Sequence, residues 1–314
     1  MRGWVSLAAM SRTLLATLAC VVAAACWAAN AVIAAGAFEL GVAPERLAQA
    51  RVIVALLPLA AYLLLARRDL MRPPRVAVPA LVGFGACIVV VNFAYYVAID
   101  RVPVGVAIAL QYTAPVLVLA GTAVVARRSP HPAVWIAGGL TLAGAALVSG
   151  ALASSGERLD GLGLIAGVAA ALSFAGYLVT AELAGRRGTH PVTTLFIGFC
   201  VAALIWTIVL PLWEWPFELL ADPAVGWRVV AVGLLGTLLP FGLVVAALRW
   251  ISSALAGIAT TTEPVLAALL AWVFLNQALT VPQLIGGGLV IAGVLIAQLT
   301  RQPEPEAVPI EMAP

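Results

Sequence analysis

The sequence predicts an all-α membrane protein with ten transmembrane helices in two inverted five-helix repeats. Three observations predict it: a composition too apolar for water, a succession of apolar runs of spanning length, and self-similarity at a nearly constant shift. Of the 314 residues, 63% are hydrophobic and only 10% charged, with a mean hydropathy of +1.09. A soluble domain needs far more charge on its surface, so lipid must be the solvent for most of this one.

A bilayer core about 30 Å thick takes about 20 apolar residues to cross as a helix. Runs of that kind lie at 14–35, 46–66, 76–98, 103–126, 133–151, 161–184, 192–213, 227–248, 252–275 and 281–300. Arg2 and Arg12 ahead of the first run could suggest a signal peptide. The run is long enough to span, and no secreted domain follows, so it reads as an uncleaved first helix. Most joints are short: Asp100-Arg101 with Pro103, Arg127-Arg128 with His131-Pro132, Arg249, and Asn276-Gln277. The longest, Glu214 to Arg228, is flanked or occupied by Trp213, Trp215 and Trp227, which suit a membrane–water interface. Residues 1–13 form an N-terminal segment, 14–151 and 161–300 the two repeats, and 152–160 the linker between them. The Pro/Glu-rich tail 301–314 is expected to be disordered.

Arginine placement sets the orientation. Twelve arginines fall at one set of helix ends (Arg2, Arg12, Arg67, Arg68, Arg72, Arg75, Arg127, Arg128, Arg186, Arg187, Arg249, Arg301) and four at the other (Arg46, Arg101, Arg158, Arg228). The positive-inside rule then puts both termini in the cytoplasm of a multi-pass protein of the bacterial inner membrane.

The repeat is carried by proline and glycine. Shifted by 149 residues, 98–148 overlays 247–297 without a gap. Pro115-Val116-Leu117 meets Pro264-Val265-Leu266, and Gly138-Gly139-Leu140 meets Gly287-Gly288-Leu289. Upstream, a shift of 147 sets Trp27-Ala28 on Phe174-Ala175 and Pro44 on Pro191. Five spans per repeat is an odd number, so the second half enters from the opposite side. Inverted repeats let one half adopt the outward form while the other adopts the inward form, which is the geometry of alternating access. One chain already contains both halves, so a monomer is sufficient and a dimer compatible.

Glu263 stands midway along the ninth run, where a charge is costly unless it is paired or lines a pathway. Pro264 removes one backbone donor and frees the carbonyl of Thr260; the Thr260 hydroxyl either satisfies local backbone groups or faces a cavity. The corresponding stretch of the fourth run is Gln111-Tyr112-Thr113-Ala114-Pro115, polar at the same depth but without an acid. Arg51, one turn into the second run, either snorkels to the headgroups or meets an anionic group, with Glu39, Glu45 or Asp100 as candidate partners. Trp27 and Asn30 share a helix face, and Asn92, Tyr95, Tyr96 and Tyr177 add polar and aromatic lining; interhelical hydrogen bonding is the structural alternative for each. Glu182 and Arg186 form an i,i+4 pair. Gly138-Gly139 and Gly286-Gly287-Gly288 suit close helix packing.

Trp27, Arg51, Ala107-x7-Pro115, Thr262-Glu263-Pro264-Val265-Leu266, Leu279-Thr280 and Gly286-Gly287-Gly288 together resemble the drug/metabolite transporter superfamily, and within it the EamA family. The resemblance covers residues 14–300 and implies a carrier, often an exporter of amino acids or other metabolites. The chain departs from the family pattern at the joints after the fourth and ninth spans. The family often has Glu there, where this chain has Arg127-Arg128-Ser129 and Asn276-Gln277.

Other classes lack their residues. No basic run suits nucleic acid. Cys20, Cys26, Cys87 and Cys200 lie in apolar runs, with no CxxC or Cys/His cluster for a metal or disulfide framework. No GxxxxGK[ST] or HExxH occurs, so neither ATP hydrolysis nor a zinc hydrolase is expected, and no cofactor is. Three readings remain: a secondary carrier exporting small metabolites such as amino acids, with protons as a candidate coupling ion; an efflux carrier for hydrophobic cations; and an intramembrane enzyme or lipid-handling protein, which would need paired catalytic groups that the runs do not offer.

Overall fold

The computed structural model describes residues 2–102, 104–127, 129–151, 160–275 and 278–300. The expected disordered tail at 301–314, most of the linker at 152–160, Arg128 and the Asn276-Gln277 joint lie outside the described residues. The described chain is helical: α1 (Arg2–Glu39), α2 (Pro44–Leu65), α3 (Val78–Arg101), α4 (Val104–Gln111), α5 (Ala114–Ala126), α6 (Pro132–Val148), α7 (Gly161–Arg186), α8 (Pro191–Val209), α9 (Pro223–Gly233), α10 (Leu239–Ala247), α11 (Ser253–Thr260), α12 (Glu263–Leu275) and α13 (Val281–Leu299). Short 3-10 turns occupy two of the loops, and a π-helical turn, Leu234–Leu238, joins α9 to α10.

Helix starts follow local chemistry. Proline stands in the first turn of α2, α6, α8, α9 and α13, where its missing N–H is not needed. Asp160, Asp222 and Ser252 cap α7, α9 and α11, and Thr280 with Gln283 makes a capping box on α13. The two histidines are caps as well: His131 Nδ1 accepts from Ala133 N–H and His190 Nδ1 from Val192 N–H, each at 3.3 Å. At the end of α7, Glu182 pairs with Arg186 at 2.8 Å. At its start, the N–H of Leu162 and then Arg101 hold the Asp160 carboxyl below the usual carboxylate range.

Among the described residues, nine helices are long and apolar enough to cross a membrane. The tenth expected span, 133–151, is a shorter apolar helix of 17 residues, α6, ended at Val148 by Ser149 and Gly150. Large apolar side chains such as Leu57, Val124, Ile165, Ile208 and Leu299 face outward on these helices. An outer surface of this kind is stable only against hydrocarbon.

The helix pairings come in matched sets. α3 lies along α7, and correspondingly α1 lies along α9 and α10. α2 packs on α8, and α6 on α13. The last pair meets through glycine: a Cβ at Gly286 would lie 2.7 Å from the Gly144 carbonyl oxygen, and one at Gly144 2.5 Å from that of Gly286. Gly139 and Gly288 instead face open space, so close packing uses Gly144, Gly286 and Gly293 and not the full glycine runs.

One cluster of buried side chains fills the middle of the bundle, around Trp27, Phe84, Phe174, Tyr177, Phe199 and Phe241. A smaller one closes one end, where Trp215 packs on Leu47 and Val229. Trp215 is buried and donates its indole N–H to the Arg46 carbonyl at 3.2 Å, so it belongs to this core and not to the interface with headgroups; Trp213 and Trp227 are exposed. Arg46 also donates to the Pro211 carbonyl at 3.0 Å and Gln49 to that of Leu210 at 2.6 Å, tying α2 to the end of α8.

Candidate functional site

The fourth and ninth spans are each broken at midpoint, at equivalent places. Each boundary of α11 and α12 equals that of α4 and α5 plus 149. The breaks are built alike. Thr113 N–H donates to the Leu110 carbonyl at 3.1 Å, and its mate Thr262 to that of Ala259 at 3.3 Å. Their hydroxyls donate to the same carbonyls at 2.7 and 2.8 Å. Pro115 and Pro264 follow, in the first turns of α5 and α12, where proline is tolerated.

The breaks bring the two halves together. Tyr112 Oη donates to Glu263 Oε2 at 2.5 Å. Tyr112 is buried and Glu263 half-buried. Arg51, Tyr95 and Tyr177 lie within electrostatic reach of the Glu263 carboxylate. Behind it stands an aromatic wall: Tyr112 edges onto Phe174 at 6.2 Å, Phe174 meets Tyr177 at 5.1 Å, and Tyr177 meets Phe241 at 5.4 Å. Trp27 is wedged edge-on between Phe174 and Phe241. Edge-to-face geometry sets the positive ring edge against the negative face of its neighbour.

Arg51 is 7% exposed and does not snorkel. Its Nε donates to Thr237 Oγ1 at 2.7 Å, Nη1 to Asn92 Oδ1 at 3.0 Å and Nη2 to the Gly236 carbonyl at 2.6 Å. The π turn supplies two of these acceptors. Pro240 has no N–H to give the carbonyl four residues back, that of Gly236, and a π turn shifts the ladder by one residue. Thr237 Oγ1 in turn donates to the Val232 carbonyl at 2.9 Å. Asn92 is held by donating to the Ile88 carbonyl at 2.7 Å. The acceptors are neutral groups of α3 and the π turn, not the expected carboxylates of Glu39 or Glu45; among the described side chains, no carboxylate oxygen lies within 4.0 Å of the guanidinium, and the Asp100 side chain lies outside the described residues.

The remaining expected residues divide. Tyr95 and Tyr96 stand 6.3 Å apart, with Tyr96 next to the guanidinium. Tyr177 is 0% exposed, and neither its hydroxyl nor Gln111 Oε1 has a hydrogen-bond partner among the described residues. Asn30 packs against Gly236 of the π turn and, with Val22, Cys26 and Leu235, lines an apolar groove of about 270 Å³; its buried Oδ1 has no hydrogen-bond partner among the described residues. Thr260 is fully buried and donates to the Gly257 carbonyl of its own helix at 2.9 Å. Sequence reasoning missed Phe174, Phe241, Gly236, Thr237 and Pro240. Phe174 was available as the repeat mate of Trp27, and Pro240 as a proline within a span. Among the described residues no group of three or more His, Cys, Asp or Glu could hold a metal.

A bundle of apolar helices with paired mid-membrane breaks and polar groups turned inward defines a multi-pass membrane protein of the transporter class. The chain belongs to the EamA-like transporter family, whose model matches residues 14–150 and again 161–299. It is therefore a transporter and not an enzyme. It is 30% identical over 230 residues to the threonine/homoserine exporter RhtA of Escherichia coli K12, covering 71% of this chain and 72% of that one. It is 28% identical over 232 residues to RhtA of Salmonella typhimurium LT2, with 72% and 73% coverage. An uncharacterized transporter of Archaeoglobus fulgidus is 28% identical, with 73% and 78% coverage. A crystal structure matches with a TM-score of 0.73 over 90% of this chain and 96% of its own, at 22% identity, a likeness of fold.

Proposed function

We propose that the protein exports small amino acids, threonine and homoserine among them, across the bacterial inner membrane as a secondary active carrier. The observation that carries this is the Tyr112–Glu263 hydrogen bond, because it joins equivalent breaks of the two repeats at one acidic point. The names of the RhtA relatives support the cargo class. In this reading ten helices cross the membrane, α6 as the short fifth span. The repeats are inverted, as the matched pairing of α3 with α7 and α1 with α9–α10 supports, and both termini are cytoplasmic. The halves rock about the breaks to give alternating access. Glu263, Tyr112, Gln111, Arg51, Asn92, Tyr95, Tyr96, Tyr177 and Trp27 face the path, protons are the candidate coupling ion, and a monomer carries out the cycle.

The aromatic wall of Trp27, Phe174, Tyr177 and Phe241 favours a second reading, efflux of hydrophobic cations held by ring faces and Glu263. The positive charge of Arg51 beside the same acid weighs against it. Overproduction in cells separates the two. Amino-acid export predicts threonine or homoserine enriched in the medium and resistance to toxic amino-acid analogues. Resistance confined to cationic dyes would replace it with the second reading.

A further inference from the structure

A buried arginine and a half-buried glutamate share the middle of the bundle without contacting each other. Among the described side chains Arg51 meets neutral groups: the oxygens of Thr237, Asn92 and Gly236, and beside them the Tyr96 hydroxyl. Asp100 is eight residues past Asn92 on α3, about 12 Å along the helix. Glu263 accepts from a neutral phenol, and no Arg nitrogen of a described side chain is within 4.0 Å of it. The two charges are nevertheless within electrostatic reach. A buried cation and a buried anion each cost several kcal/mol until paired.

We propose that Arg51 and Glu263 form a clamp for zwitterions, in which the guanidinium takes the α-carboxylate of the substrate and the Glu263 carboxylate takes its ammonium group. This rests on the amino-acid reading and adds to it a requirement for both charges. Three of the five N–H groups of Arg51 make the bonds above and the Tyr96 hydroxyl stands beside the guanidinium, so a substrate carboxylate would meet an arginine held by neutral groups and not by an acid. An α-amino acid places its ammonium nitrogen about 2.5 Å from its carboxylate carbon. With charge-assisted bonds of about 2.8 Å at both ends, it bridges groups roughly 8 Å apart. The neutral acceptors from the π turn and Asn92 hold the guanidinium in place while leaving its charge unneutralised.

The test uses the purified full chain in liposomes and counterflow of labelled L-threonine, with unlabelled competitors. L-serine keeps both charges, L-threoninamide lacks the carboxylate, and 2,3-dihydroxybutyrate lacks the ammonium group. The clamp predicts that serine competes and that the amide and the hydroxy acid are each weaker by about 10- to 100-fold, the value of one lost charge-assisted bond. Arg51→Gln is expected to lose threonine selectivity over the amide; because Arg51 also braces the π turn, the unmodified chain with its competitor panel decides the matter alone. Threonine counterflow inhibited equally by the amide or the hydroxy acid would overturn the clamp and leave amino-acid export standing. Absence of counterflow with any amino acid would overturn both.

Discussion

The Tyr112 hydroxyl donates to Glu263 Oε2 at 2.5 Å, and this bond joins the break in the fourth span to the break in the ninth. A hydrogen bond to a charged group is worth about 1.5–3 kcal/mol. Tyr112→Phe keeps the ring on Phe174 and removes only the donor. It is expected to lower the thermal unfolding temperature modestly and to slow amino-acid efflux about 10-fold or more. Unchanged efflux with normal folding would show that the bond is structural.

Pro240 keeps the Gly236 carbonyl open for Arg51. Pro240→Ala restores an N–H that competes for that oxygen and lets the π turn relax toward an α-helix. Unfolding in detergent should shift to equal or higher temperature while efflux falls. Both quantities falling together would mean that the proline serves packing alone.

The Tyr177 hydroxyl is buried without a partner among the described residues, at a desolvation cost of about 1–3 kcal/mol. Tyr177→Phe is therefore expected to hold or raise stability. A substrate group that takes this hydroxyl makes efflux of threonine fall more than efflux of an aliphatic amino acid. Equal rates for both substrates, before and after the change, would remove Tyr177 from the path.

α6 and α13 approach closely enough that a Cβ at Gly286 would lie 2.7 Å from the Gly144 carbonyl oxygen. Gly286→Leu is expected to separate the helices and to cost folded protein, read as loss of the monodisperse peak on size exclusion. Gly288→Leu, facing open space, should be tolerated. A tolerated Gly286→Leu would contradict the packing described.

The helix breaks were legible because proline acts locally: Pro115 and Pro264 mark them in the sequence, and the repeat shift aligns them. Glu263 was legible because an acid inside an apolar run is rare and costly. The partners of Arg51 were not, since its acceptors lie on α3 and on a π turn, and a π turn has no local composition signal apart from Pro240. Trp215 has the composition of an interface residue, and only the fold of the 210–228 segment over Leu47 and Val229 buries it. The repeat pointed to Gly287 and Gly288, but a shared residue at a shared position does not fix which helix face it occupies.

The most direct test of the account is efflux of labelled L-threonine from preloaded cells containing the chain or its Glu263→Gln variant at equal membrane abundance. Glutamine keeps an oxygen to accept from Tyr112, so the fold is preserved while the charge is lost. The account predicts efflux well above vector cells for the unaltered chain and efflux at the vector level for the variant. Full-rate efflux by the variant would contradict it.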